Sequence, residues 1–134
     1  MLDTNIVISG LIWGGMPRRL LDLARDGRVT LFTSSVLLDE LAEVIARSKF
    51  EAMLTSQDFT PAFLIQRYGM LARLVTPRAI ERIVRDADDD AVIATALAAQ
   101  ADVIVTGDYD LLTLRAYNEI QILNPADAVH LVSG

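Results

Sequence analysis

Short β-rich runs alternate with helical patterns from one end of this chain to the other, and that alternation limits its fold more than any other feature. Such a pattern reads as βα units on a mostly parallel sheet. Five runs stand out: residues 1–2, resuming through 6–8, then 29–33, 74–75, 103–106 and 121–123. Val103-Ile104-Val105 is β-branched without alternation, as expected for a central strand covered on both faces. Helical periodicity fills the intervals at 18–26, 36–47, 61–72 and 89–100, and more weakly at 111–117 and 127–131. Pro17 stands where a first helical residue should, Gly27 as a C-cap and Ser35 as an N-cap. With 134 residues and no repeat or linker, the expected organisation is one domain, 1–134.

Composition excludes several classes. Hydrophobic residues are 52% of the chain, too many for a disordered one, yet no apolar run approaches the roughly 18 residues that span a bilayer. The absence of cysteine removes disulfide scaffolds, thiolate zinc sites and cysteine nucleophiles. Nothing at the N-terminus reads as a secretory signal, so the expected location is cytoplasmic. A net charge of −6 argues against gripping nucleic acid by bulk positive charge. Eleven of the twelve basic residues are Arg, however, which suits bidentate contacts to phosphate. Four carboxylates held in one metal site would leave only about −2 on the rest, so an anionic substrate stays compatible.

In an open parallel sheet, ligands bind outside the carboxyl ends of the strands. Asp3 follows the first run, Glu40 lies in the helix after the second, Asp86, Asp88, Asp89 and Asp90 open the helix before the fourth, and Asp108 and Asp110 follow it. Clustered carboxylates stay ionised only beside a cation. Hard oxygen donors, with one histidine and no cysteine, select Mg²⁺ or Mn²⁺ over zinc. Each acid also has a plainer role. Asp39, Glu40 and Glu43 suit a solvated helix face, but Glu40 lies about 90° from the centre of the Leu37, Leu41, Val44, Ile45 stripe, with the other two nearly opposite it. The aspartates at 86–90 suit helix capping, and Asp110 the cap of a short helix. Asp3 beside a central strand is the hardest to explain as structure alone, because an unpaired carboxylate there is costly. His130 sits in an apolar helical pattern and reads as structural. No Walker A, G-x-G-x-x-G or G-x-S-x-G sequence is present, and Trp13 and Met16 read as an apolar loop edge.

Four segments in order, Leu2-Asp3-Thr4-Asn5, Leu38-Asp39-Glu40-Leu41 with Val44, Asp90-Ala91-Val92-Ile93-Ala94-Thr95-Ala96 and Val105-Thr106-Gly107-Asp108-Tyr109-Asp110, resemble the PIN-domain family. The likeness is to its small prokaryotic toxins of toxin-antitoxin pairs. It implies a three-layer α/β/α sandwich with a central parallel sheet of about five strands, PIN-like and Rossmann-like. It also implies a Mg²⁺- or Mn²⁺-dependent endoribonuclease with one or two ions. By position, Asp3, Glu40, Asp90 and Asp108 are the catalytic and metal-site acids, Asp110 is an auxiliary metal acid, and Asn5 and Thr106 are polar supports of those acids. The D-x-x-I-A-x-x-A pattern selects Asp90. Family members carry several apolar residues before the first Asp, whereas Met1 and Leu2 alone precede Asp3, so the first strand is expected to be short or to begin upstream. Partners implied are RNA, an antitoxin protein and a second copy in a homodimer, with no membrane. Arg18, Arg19, Arg82 and Arg85 are candidate contacts to the RNA backbone. Two competing readings are a Mg²⁺-dependent phosphatase or phosphoacceptor domain, which the single Lys49 serves poorly, and a catalytically silent interaction module.

Overall fold

The computed structural model describes residues 1–47, 60–77 and 87–133, with only the backbone of 87–89. The elements run α1 (Thr4–Ile8), a π-helical turn (Ser9–Trp13), α2 (Gly15–Arg25), β1 (Leu31–Thr33), α3 (Ser35–Ile45), α4 (Pro61–Leu71), β2 (Ala72–Leu74), α5 (Ala87–Ala99), β3 (Val103–Val105), α6 (Tyr109–Leu112), β4 (Ala116–Tyr117), β5 (Ile120–Leu123) and α7 (Pro125–Ser133). The fold is mixed α/β. No helix among the described residues is long and apolar enough to cross a membrane.

Strand pairing differs from one five-stranded parallel sheet. β1 and β2 pair in parallel, while β3, β5 and β4 form a second group in that order, β3–β5 parallel and β4–β5 antiparallel. The start of the chain joins this second group at β3: Leu2 bridges Val105 in parallel, with Asp3 N–H on the Val105 carbonyl at 3.0 Å and Val105 N–H on the Met1 carbonyl at 2.8 Å. Side chains alternate across that pairing as a strand requires. Leu2 and Val105 pack into one apolar cluster with α1, α2, α3 and α4, whereas Met1 and Ile104 pack into another with α5 and β5. Both faces of β3 are therefore covered.

The expected return of the first strand at 6–8 is corrected by the structure: Ile6, Val7 and Ile8 are helical. A three-residue apolar run fits a buried helix as well as a buried strand, and the Asp3 carboxylate decides between them by accepting the Ile6 N–H at 3.0 Å as an N-cap. Gly14, at φ 105°, then breaks the π-helical turn from α2 in a conformation only glycine adopts easily. Other shifts are local. Pro17 is the third residue of α2 rather than the first, still in the turn where its missing N–H costs nothing. Ser34, not Ser35, caps α3. Asp108, not Asp110, caps α6, accepting the Asp110 N–H at 2.8 Å. The weak helical pattern at 111–117 divides into α6 and the strand β4, separated by a turn in which Arg115 takes a left-handed φ of 61°.

The helix α3 is held in place by buried polar bonds. The Ser34 hydroxyl accepts the Leu37 N–H and shares a 2.9 Å hydrogen bond with Thr95 of α5, whose own hydroxyl also donates to the Ala91 carbonyl at 2.8 Å. Both hydroxyls are fully buried. The N-terminus of α3 is thereby fixed to the helix that carries Asp90.

Candidate active site

At the carboxyl end of the Met1–Asp3 segment and of β3, a cleft of about 460 Å³ opens between α1, α3 and the start of α6. Asp3, Thr4, Asn5, Val36, Asp39, Glu40, Glu43, Val44, Arg47, Val92 and Asp108 line it. The surface is acidic: among the described residues five carboxylates face one guanidinium. It forms here because β1 and β3 both end at this edge and each chain then turns directly into a helix.

Asp3 is the most deeply buried of these carboxylates. Only 6% of it is exposed, and its two oxygens have separate partners, the Ile6 N–H and the Thr106 hydroxyl. Thr106 is fully buried and its oxygen in turn accepts the Asp108 N–H at 2.9 Å. One hydroxyl thus ties the two carboxylate-bearing segments together. Burial raises the Asp3 pKa above its ordinary value, the hydrogen bonds from Thr106 and Ile6 oppose the rise, and the negative charge of Asp108 adds to it. Asp3 is therefore a buried acid close enough to Asp108 to feel its repulsion. Tyr68 of α4 stands in the same core, its hydroxyl without a hydrogen-bond partner among the described residues. Burial, and then the Asp3 charge, push its pKa upward.

Of the residues nominated from the sequence, Asp3, Asn5, Glu40 and Asp108 line this one cleft, and Thr106 lies beneath it. Asn5 is exposed at the rim rather than behind the acids. Asp90 is partly buried in the first turns of α5 and is not among the lining residues, and Asp110 is exposed on α6. Asp39 and Glu43, expected to point to solvent, are exposed but border the same cleft. Arg18 is exposed outside the cleft, and its guanidinium donates to the Gly10 and Leu11 carbonyls at 2.9 and 3.1 Å, securing the π-helical turn to α2. Arg19 is exposed outside the cleft. Lys49, Arg82, Arg85 and Asp86, and the side chains of Asp88 and Asp89, lie outside the described residues. Arg47 also lines the cleft, and its one signal in the sequence is the spacing 39, 43, 47 that aligns residues along one side of a helix.

The family model of the PIN domain matches residues 1–110. The chain belongs to the PIN domain family. PIN domains are typically nucleases, and they usually use divalent metal ions. An uncharacterized protein of Methanocaldococcus jannaschii is 30% identical over 125 residues, covering 92% of this PIN domain chain and 79% of its own length. No solved structure matches.

The cleft of this PIN domain offers hard oxygen donors, the kind a divalent ion such as Mg²⁺ takes. Asp3 is a buried carboxylate whose negative charge is opposed by burial and by Asp108, and a cation would relieve both. No three carboxylates among the described residues are grouped closely enough to hold an ion together. That arrangement still suits Mg²⁺, which is commonly bound through one or two carboxylates while keeping several waters.

Proposed function

We propose that this PIN domain is a divalent-metal-dependent endoribonuclease that hydrolyses RNA phosphodiester bonds in the cytoplasm. The observation that carries the reading is Asp3: a buried carboxylate with a raised pKa, aimed into an acidic cleft at the strand ends and repelled by Asp108. Asp3, Glu40 and Asp108 would hold Mg²⁺ or Mn²⁺, as one or two ions, with Asp90 and Asp110 as further acids. When bound, the ion supplies positive charge, polarises the phosphoryl group and makes water a competent nucleophile near neutral pH.

The chain's own contribution is orientation and charge. Thr106 and the Ile6 N–H fix both oxygens of Asp3, so its carboxylate cannot rotate away from the cleft. The Thr106 bond to the Asp108 backbone sets the spacing between the two acids, and Asn5 at the rim offers an amide to a substrate or to water. In the same reading the protein is the toxin of a toxin-antitoxin pair and forms a homodimer. Exposed Trp13, Met16, Phe63 and Met70 are apolar surface that such partners would cover.

The test is incubation of the purified chain with labelled structured and single-stranded RNAs in Mn²⁺, Mg²⁺ or EDTA, beside Asp3→Asn and Asp90→Asn. Metal-dependent products are expected from the wild type, with cleavage falling at least about 100-fold in both variants. Folded protein that neither cleaves RNA nor binds Mn²⁺ would overturn the reading.

A further inference from the structure

Among the described residues Arg47 is the cation in a cleft otherwise lined by carboxylates and small polar or apolar groups. It lies two residues beyond the end of α3, one helical turn past Glu43 and two past Asp39. Glu43 and Arg47 have the i, i+4 order that favours an ion pair. That pair is not formed, and among the described residues Arg47 makes no ion pair. The arginines of the groove between α2 and α4 are committed differently. Arg18 donates to backbone carbonyls, Arg25 pairs with Asp22 and Asp26, and Arg67 lies over the Phe63 ring.

An uncommitted guanidinium beside an anionic cleft has one evident ligand class. It offers five donors in a planar fork that matches a phosphate, and it stays charged at every physiological pH. A phosphodiester strand approaching this cleft meets repulsion from the carboxylates, and the positive charge of Arg47 at its border offsets part of it. Attraction to the carbonyl end of α3 would favour an arginine anywhere around that helix end, but it does not explain why the side chain borders the cleft.

We propose that Arg47 binds a backbone phosphate of the RNA and positions the strand across the acidic cleft. This rests on the endoribonuclease reading. Arg47 acts on substrate binding, not on the ion: its removal raises KM and leaves kcat and Mn²⁺ affinity close to wild type.

The experiment measures three quantities separately on the full chain: Mn²⁺ binding, cleavage kinetics, and affinity for a fluorescein-labelled single-stranded RNA in EDTA across a salt series. For Arg47→Ala the expected result is about tenfold weaker RNA binding and a salt dependence shallower by about one charge. Arg47→Lys should restore the salt slope but only part of the affinity, since it keeps the charge and loses the fork. Arg25→Ala, which removes the same charge from α2, should match wild type. Unchanged RNA affinity and slope in Arg47→Ala, or an equal loss in Arg25→Ala, would overturn the assignment even if the wild type cleaves RNA. If the wild type binds RNA through Arg47 but neither binds Mn²⁺ nor cleaves, the nuclease reading fails and the phosphate contact stands. A wild type that does not bind RNA removes both.

Discussion

Asp3 serves two purposes that conflict. As an N-cap it stabilises α1, and an asparagine would cap equally well. As a buried carboxylate next to Asp108 it destabilises the fold whenever it is ionised. Its pKa is raised in the folded state, so its stabilising contribution belongs to the protonated form and is lost as pH rises through the folded value. Asp3→Asn is therefore expected to melt at a higher temperature than wild type in EDTA at neutral pH. The difference should shrink on acidification, and thermal melts of both proteins across pH would show it. A variant that gains stability while losing cleavage marks a residue retained for function. Asp3 is legible in the sequence because a carboxylate directly after a short apolar run has few structural uses. Arg47 is not, because an arginine near a helix end has an ordinary electrostatic role and nothing local shows which way it points.

At the scale of elements, the buried Ser34–Thr95 bond sets the position of α3, and with it Glu40 and Arg47. Thr95→Val keeps the shape but removes the hydroxyl, leaving Ser34 with a buried, unpaired group. A loss of about 1–3 kcal/mol is expected in urea denaturation. Cleavage should fall as well, because α3 would no longer be anchored to α5. The helices α3, α4, α5 and α7 are legible to within about two residues, since periodicity and caps such as Thr60 before Pro61 are local signals. Elements of three or four residues are harder to read. Residues 6–8 become helix because of a cap that looks like an ordinary aspartate in the sequence, and β4 exists only through its antiparallel pairing with β5.

For the whole molecule, a ligand that binds only the folded state adds to its stability, by about 2.7 kcal/mol at a hundredfold excess over Kd. Mn²⁺ is expected to raise the wild-type melting temperature in a concentration-dependent way and to leave that of Asp3→Asn unchanged; differential scanning fluorimetry decides. Sheet order is the least legible feature, because the sequence marks strands but not which backbones meet. The division into β1–β2 and β3–β5–β4 is set by contacts far apart in the chain. The same distance has a temporal consequence. During synthesis Asp3 emerges well ahead of its partner Thr106 and the strand that aligns it, which follow more than a hundred residues later. A half-made chain carries Glu40 on α3 and Arg47 just past its end but has no β3 to seat Asp3 against. The cleft is complete only once translation has passed Asp108, so on the nuclease reading a growing chain cannot cleave the messenger that encodes it.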